Sequence, residues 1–181
     1  MDKKDIRSRA DLALYFAHLG FKVGAEIGVA DGRYSERLCA TIPNLALYCV
    51  DPWEPYKGNR RGGGVDQQHG NFDTARKRLE PYAVIFVRQK SMEALKEIDD
   101  EHLDFVYIDG NHDFDYVMED IIGWARKVRS GGIVSGHDYY QFRNSGVIEA
   151  VDLYTKMNGL ELHLTSPKTD YGEVSWYFVK P

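Results

Sequence analysis

Polar residues that could bind or transform a ligand recur in this chain, each at the end of a short apolar segment. They are carboxylates, a lysine, a serine and a histidine, with one glycine: Glu26 with Gly28, Asp51, Lys90 with Ser91, Asp109, and His137 with Asp138. Each residue alone has a plain structural alternative: Asp51 could cap a helix or a turn, and Ser91 could cap the helix predicted at Met92–Ile98. Because the carboxyl ends of parallel strands meet at one edge of a sheet, the whole set predicts a ligand site there.

The segment Glu26–Gly32 reads Glu-Ile-Gly-Val-Ala-Asp-Gly and leads into a helical pattern that begins at Arg33. Its glycines allow tight backbone conformations and a close approach to a ligand. No Gly-Lys-Ser/Thr sequence follows, so this is not a Walker-type phosphate loop, and Glu26 would repel a pyrophosphate. An acid beside glycines favours a ligand that is cationic or rich in hydrogen-bond donors. S-adenosylmethionine, with its sulfonium, ammonium and ribose hydroxyl groups, meets this requirement.

Asp51 ends the next apolar run along the chain. An acid in that position can accept two hydrogen bonds from a ribose diol, as it does in dinucleotide-binding folds. A nicotinamide-dependent oxidoreductase is therefore an alternative, although the turn Glu26–Gly32 differs from the G-x-G-x-x-G fingerprint. A non-catalytic module that only binds a nucleoside is a further alternative.

The elements that must position these residues alternate between strands and helices. Strands are predicted at Val23–Gly28, Ala46–Asp51, Ala83–Arg88, Asp104–Asp109, Gly132–Gly136, Glu161–Thr165 and Val174–Val179. Helices are predicted at Ile6–Leu19, from Arg33 onward, and at Phe72–Leu79, Met92–Ile98, Tyr116–Val128 and Val147–Met157. Such alternation indicates a parallel sheet with helices on both faces. The short polar link between the last two strands predicts an antiparallel hairpin.

The predicted fold is therefore α/β and Rossmann-like, with a seven-stranded, mostly parallel sheet, helices on both faces and an antiparallel C-terminal hairpin. A single domain is expected over residues 1–181, with an N-terminal helix within residues 1–20. The segment Trp53–Asn71 interrupts the alternation and contains Arg-Arg-Gly-Gly-Gly. A long Gly-rich loop of this kind is typically functional or disordered, so we predict a flexible lid over residues 53–71. A surface insertion without a role is the alternative.

Composition excludes several classes of protein. A net charge of −5 argues against a general nucleic-acid binder. No apolar run is long enough to cross a bilayer, and the charged segment Met1–Asp5 does not resemble a signal peptide. Cys39 and Cys49 are expected to be buried thiols of a cytoplasmic protein. The helix Ile6–Leu19 could cover the domain's own sheet or that of a second copy, which leaves a homodimer open.

Four motifs carry a resemblance to a known family: Glu26–Gly32, Tyr48–Asp51, Phe105–Asp113 and Gly131–Tyr139. From Val23 to about Tyr139, the chain resembles class I S-adenosylmethionine-dependent methyltransferases. Within that class it is similar to the small family that includes metal-dependent macrolide-sugar O-methyltransferases. Ala30 stands where many class I enzymes carry the middle glycine of the first motif.

The resemblance implies a cofactor site that combines the first two motifs with the end of the third strand. Its predicted members are Glu26, Gly28, Gly32, Asp51, Lys90, Ser91 and Asp109. Asp51 would hold the ribose, and Lys90 with Ser91 would lie beside the adenine. Glu26 would lie near the ribose or the amino-acid part of the cofactor.

In catechol-type and macrolide-sugar O-methyltransferases, an acid after the fourth strand and a pair after the fifth bind a divalent cation. The corresponding positions are Asp109, His137 and Asp138. His137 departs from the more usual Asp-Asp or Asp-Asn pair. Carboxylates suit Mg²⁺, whereas a histidine ligand shifts the preference toward Mn²⁺, Fe²⁺ or Zn²⁺. The alternative is that His137 and Asp138 bind substrate or orient one another without metal.

His112 follows Asp109 by three residues, close to the position at which catechol-type enzymes carry a lysine base. An imidazole titrates near neutral pH and could accept the proton of a hydroxyl group. We therefore predict His112 and Asp109 as the catalytic residues. The alternative is that His112 belongs to the cap of the helix that begins near Phe114.

The predicted function is transfer of a methyl group from S-adenosylmethionine to a hydroxyl of a small-molecule acceptor, with or without Mg²⁺ or Mn²⁺. A substrate oxygen would attack the sulfonium methyl in line, and S-adenosylhomocysteine would leave. Metal-dependent hydrolysis by the same acids and histidines is a further alternative, but it leaves Glu26–Gly32 and Asp51 unexplained. No nucleic-acid or membrane partner is expected.

Overall fold

The computed structural model describes residues 6–55, 64–141, 145–166 and 174–181. Its strands are β1 (Val23–Ile27), β2 (Ala46–Val50), β3 (Val84–Val87), β4 (Leu103–Ile108), β5 (Val128–Gly136), β6 (His163–Leu164) and β7 (Trp176–Val179). They form one seven-stranded sheet in the order β3-β2-β1-β4-β5-β7-β6. The first five strands pair in parallel. β7 runs antiparallel to both β5 and β6, which confirms the predicted hairpin and the predicted fold class.

Helices cover both faces of this sheet. They are α1 (Arg9–His18), α2 (Arg33–Thr41), α3 (Val65–Leu79), α4 (Ser91–Ala94), α5 (Phe114–Lys127) and α6 (Val147–Met157), with a short 3-10 turn at Leu95–Glu97 after α4. The first three helices pack on one face and the last three on the other. Because α1 buries Leu12 and Phe16 against this chain's own sheet, it covers its own domain.

The central strand β4 shows how the sequence divides its side chains between the two cores. Phe105 and Tyr107 face the core on the α1 side, and Val106 and Ile108 face the core on the α5 side. This alternation follows from the two-residue period of a strand. Its near-continuous apolar sequence is therefore explained by burial on both faces.

Several boundaries differ from the predicted ones. α3 begins at Val65, seven residues before the predicted start, because its first turns are polar and carry no apolar periodicity. The predicted lid over residues 53–71 therefore overlaps a helix, and its residues 56–63 lie outside the described residues. The helix predicted over Met92–Ile98 is one α-helical turn followed by a 3-10 turn. Cys49 is buried as expected, whereas Cys39 is only partly buried.

Among the described residues, no helix has both the length and the apolar character needed to span a membrane.

Two glycines allow a matched test of packing. A Cβ on Gly24 of β1 would overlap the ring of Phe105, whereas a Cβ on Gly70 of α3 would meet no atom within 4 Å. We expect Gly24→Ala to lower the free energy of unfolding by about 1–3 kcal/mol through overpacking. Gly70→Ala should raise it by up to about 1 kcal/mol, since alanine favours helix. Urea unfolding measures both, and equal effects of the two changes would contradict this account of the β1–β4 contact.

Candidate active site

The carboxyl ends of the parallel strands lie in one row. Ile27 pairs with Val50 and Ile108, and Ile108 pairs with Gly136. The residues that follow these strands therefore emerge together at one edge of the sheet. The amide of Asp109 donates to Ile27 O over 2.7 Å, and that of His137 donates to Ile108 O over 3.0 Å. The predicted convergence of Gly28, Asp51, Asp109 and His137 is what the structure shows.

The Gly-rich turn is shaped by its neighbours as well as by any ligand. Gly28 has a φ of 88°, and a Cβ there would overlap the main chain of Asp109. Gly32 has a φ of 79° at the N-terminus of α2, where a Cβ would lie 3.2 Å from Ala75 of α3. Both positions therefore require glycine for backbone conformation and for close packing.

Asp51 organises this turn directly. Its Oδ2 accepts hydrogen bonds from the amides of Val29 and Ala30, each over 3.0 Å, and its Oδ1 accepts one from the amide of Trp53 over 2.7 Å. Burial raises the pKa of Asp51, and these backbone bonds oppose that rise. A carboxylate has about four acceptor positions, so three are occupied and about one remains for a ligand. Asp51 can therefore cap the turn and still accept a hydrogen bond from a ribose hydroxyl.

Glu26 lies beneath the turn, on the face of the sheet that α1 and α2 cover. Its side chain is 2% exposed and accepts a hydrogen bond from the hydroxyl of Ser35. Burial raises the pKa of Glu26 to about 8. The Ser35 bond and the charge of Arg9 oppose this rise, while Asp109 adds to it. Glu26 is therefore a buried carboxyl beneath the turn, bonded to α2, and it is not exposed at the surface of the site.

Lys90 and Ser91 lie at the end of β3, where the sequence places them. Lys90 is exposed. Ser91 is the first residue of α4, and its hydroxyl donates to Asp120 Oδ1 and accepts from Trp124 Nε1, the latter over 2.8 Å. Both of these partners belong to α5.

Two acids and two histidines form a cluster after β4 and β5. His112 Nε2 lies 2.9 Å from Asp138 Oδ2 and 3.7 Å from Asp109 Oδ1. His137 Nδ1 lies 3.4 Å from Asp138 Oδ1 and 3.9 Å from Asp109 Oδ2. Asp138 has a φ of 56°, a conformation that non-glycine residues seldom adopt. With this backbone conformation at Asp138, the consecutive residues His137 and Asp138 both place their side chains in the cluster.

The charges of the cluster are strongly coupled. Asp109 and Asp138 raise the pKa of His112 to about 10, against the opposing effect of burial. Burial would lower the pKa of His137, but Asp138 and Asp109 raise it. Burial would likewise raise the pKa of Asp138, but the two histidines hold it well below its usual range. Asp113, not His112, occupies the N-cap position of α5, so the side chain of His112 belongs to the cluster and not to a cap.

Asp109, His137 and Asp138 each offer one ligand atom within 4.8 Å of the others. Two carboxylates and one imidazole are a donor set that divalent cations accept. The residues predicted to bind a metal therefore fit one.

Aromatic rings bound the cluster on the side of α1. The ring centroids of Tyr107 and His137 are 6.3 Å apart, and those of Tyr34 and Tyr107 are 4.3 Å apart. The guanidinium carbon of Arg9 lies 5.6 Å from the Tyr34 centroid. The hydroxyls of Tyr107 and Ser175 share a hydrogen bond of 3.0 Å.

Sequence reasoning did not identify Ser35, Trp53 or Asp120 as parts of the site. Trp53 donates its indole N–H to Ala30 O over 2.8 Å and so fixes the Gly-rich turn. Ser35 and Asp120 lie among the buried residues of α2 and α5. A polar residue within the apolar face of an amphipathic helix is the signal that could have found both.

Comparison with known proteins settles the family. A family model described as "Methyltransferase domain" matches residues 25–139, which contain the Gly-rich turn, Asp51 and the cluster. The chain belongs to this family. The resemblance to class I S-adenosylmethionine-dependent methyltransferases is thereby confirmed, and the nicotinamide-dependent oxidoreductase and the non-catalytic module are set aside. No curated protein matches the sequence.

Solved structures share the fold at low identity. The O-methyltransferase from Bacillus cereus, in complex with SAH, has a TM-score of 0.70 at 15% identity, covering 95% of this chain and 80% of that one. The O-methyltransferase TomG from Streptomyces achromogenes, in complex with SAM, has a TM-score of 0.68 at 17% identity, covering 96% and 80%. The N-methyltransferase NodS from Bradyrhizobium japonicum has a TM-score of 0.63 at 15% identity, covering 96% and 94%.

Glu26 gives the methyltransferase a specific dependence of stability on pH. A carboxyl whose pKa is about 8 when folded and near 4.5 when unfolded holds more protons in the folded state between those values. The free energy of unfolding of the wild type should therefore fall between about pH 4.5 and pH 8, by about 1.4 kcal/mol for each unit of pKa difference.

Glu26→Gln still accepts from Ser35 and should remove the part of this slope that Glu26 contributes, so that it exceeds the wild type in stability at pH 8. Urea unfolding from pH 5 to pH 8 measures the effect. Glu80→Gln, at an exposed position, is the matched control. Parallel pH profiles for wild type and Glu26→Gln would contradict the assignment.

Proposed function

We propose that this methyltransferase transfers the methyl group of S-adenosylmethionine to a hydroxyl oxygen of a small molecule. The cofactor would lie over the ends of β1, β2 and β3, and the acceptor beside the cluster of Asp109, His112, His137 and Asp138. The observation that carries the proposal is the contact of the Gly-rich turn with Asp109. It joins a turn suited to the cofactor to a group of oxygen ligands.

Each cofactor residue has a distinct task in this proposal. Gly28 and Gly32 give the turn its conformation, and Asp51 holds the turn while offering its remaining acceptor position to a ribose hydroxyl. Lys90 and Ser91 form the edge at the adenine. Glu26 supplies a carboxyl beneath the turn, where it lies within electrostatic range of Asp109 and Asp51.

Asp109, His137 and Asp138 would hold a divalent cation. The imidazole in this set favours Mn²⁺ over Mg²⁺. When bound, such a cation would polarise the acceptor hydroxyl and stabilise the oxygen as it loses its proton. His112, whose Nε2 lies near both carboxylates, would help to keep them in position. The two carboxylates raise its pKa, so it would accept that proton only once a cation on Asp109 and Asp138 offsets their charge and leaves the imidazole neutral.

Alignment is the main contribution of the protein to methyl transfer. The acceptor oxygen forms a bond to the methyl carbon while the bond from carbon to sulfur breaks, and S-adenosylhomocysteine leaves. The sulfonium is already a good leaving group, so the chain needs to align the two molecules and exclude water. Such positioning can contribute about 7–11 kcal/mol.

An oxygen acceptor is favoured by the cluster and not by the fold. The same fold serves the O-methyltransferases from B. cereus and S. achromogenes and the N-methyltransferase NodS. A cation held by two carboxylates would stabilise the negative charge that develops on a hydroxyl oxygen as it loses its proton. An amine needs no such stabilisation, because its neutral form is already the nucleophile. A net charge of −5 disfavours a nucleic-acid acceptor. A cytoplasmic location and a homodimer stay predictions.

The cofactor assignment is tested at Asp51. Asp51→Ala removes the acceptor of three amides and the proposed ribose contact, so S-adenosylhomocysteine affinity should fall by at least about tenfold, as lost bonds to a charged group imply. Asp31→Asn is the matched control, because Asp31 lies in the same turn but pairs outward with Arg33. Calorimetric titration measures both variants. Equal affinity in Asp51→Ala and the wild type would contradict the assignment.

The acceptor and metal assignments are tested together with labelled S-adenosylmethionine and a panel of small phenols, catechols and sugars, each paired with its amino analogue. Label should appear on oxygen, at a rate that Mn²⁺ raises and a chelator lowers. Asp138→Asn should weaken Mn²⁺ binding at least about tenfold and abolish the stimulation. Asp113→Asn, an exposed neighbour of the cluster, should do neither. Label found only on nitrogen, or Mn²⁺ binding retained in Asp138→Asn, would refute the corresponding assignment.

A further inference from the structure

Asp120 is a buried carboxyl that neither the cofactor site nor the cluster contains. It lies on the inner face of α5 with Val117, Ile121 and Trp124, and its side chain is 5% exposed. Burial raises the pKa of Asp120 to about 7, although the bond from Ser91 lowers it. Burial of a carboxyl lowers the stability of a fold unless hydrogen bonds compensate, so the contacts of Asp120 indicate what it does.

Asp120 is bonded to Ser91, at the end of β3, and lies beside Gly110, after β4, on the adenine side of the proposed cofactor site. Its Oδ1 accepts the hydroxyl proton of Ser91, at the start of α4. Its Oδ2 lies 3.7 Å from the position that a Cβ would take on Gly110, directly after Asp109. Packing reinforces the same junction, since a Cβ on Gly123 of α5 would lie 2.5 Å from Leu95, just after α4. α4 and the turn after it are therefore held on α5 by two hydrogen bonds of Ser91, with Asp120 and with Trp124, and by one close apolar contact.

The hydrogen bonds of Ser91 fix what its hydroxyl can offer to a ligand. A serine hydroxyl has one proton and two acceptor positions. The proton goes to Asp120, and one acceptor position takes the indole N–H of Trp124 over 2.8 Å. One acceptor position remains, and Ser91 is only partly buried. When Asp120 is ionised, Ser91 can therefore accept a hydrogen bond from a ligand but cannot donate one.

We propose that Asp120 is a positioning residue that makes Ser91 a pure acceptor and thereby selects a 6-aminopurine over a 6-oxopurine. The inference rests on the proposed placement of the adenine beside Ser91. The 6-amino group of adenine donates to the free acceptor position. The 6-oxo group of hypoxanthine would instead place an oxygen against it, with no proton between the two.

The test compares calorimetric binding of S-adenosylhomocysteine with that of S-inosylhomocysteine, its 6-oxo counterpart, at a pH well above the pKa of Asp120, where this carboxyl is ionised. The wild type should prefer the adenine compound by about tenfold or more, the value of one hydrogen bond. Asp120→Ala frees the proton of Ser91, and Ser91→Ala removes the group, so both should bring the ratio close to one. Asp120→Asn keeps an oxygen that accepts from Ser91 and should retain most of the preference. Glu119→Gln, the exposed neighbour, should leave the ratio unchanged.

Each result decides the inference. A reduced ratio in both alanine variants, with no further loss in the double variant, supports a shared action of Asp120 and Ser91. An equal loss of affinity for both compounds would show a merely structural role and overturn it. If Asp120→Ala does not fold, Asp120→Leu, which also removes the acceptor of the Ser91 proton but fills the same space, takes its place beside Ser91→Ala. If the wild type binds neither compound, the proposed cofactor site fails, which is a separate result.

Discussion

The close approach of β1 and β4 at their carboxyl ends determines where the Gly-rich turn and the cluster can lie. The two main chains approach so closely after Ile27 that only glycine fits at position 28 against Asp109. A parallel ladder fixes this register over the length of both strands. The Gly-rich turn and the acid of the cluster are therefore parts of one rigid edge. Any molecule bound on the turn would therefore lie at a set distance from the carboxylate of Asp109.

Asp51 extends this edge by one strand. Its carboxylate accepts from three amides, two of which belong to the turn after β1. The carboxylate that we propose for a ribose hydroxyl is thus the one that keeps the turn in shape. The conformation of the turn therefore depends on the same carboxylate that is proposed to bind the cofactor.

Much of this arrangement could be predicted because it follows from periodicity and from strand ends. The apolar run of β4 indicated burial on both faces, and acids at successive strand ends indicated one shared edge. The start of α3 could not be predicted, since its polar first turns carry no apolar pattern. The pairs Ser35–Glu26 and Ser91–Asp120 depend on how α2, α4 and α5 rotate against their neighbours. Local sequence does not encode that rotation, so these contacts needed the structure.

The three tryptophans of the chain share a feature that individual contacts do not reveal. Each indole N–H donates to a different part of the site: Trp53 to Ala30 O, Trp124 to Ser91 Oγ, and Trp176 to His137 O. All three rings are fully buried. The tryptophan fluorescence of this protein therefore arises beside the turn, the proposed adenine edge and the cluster. Replacing two tryptophans at a time by phenylalanine would isolate the optical signal of each region in turn.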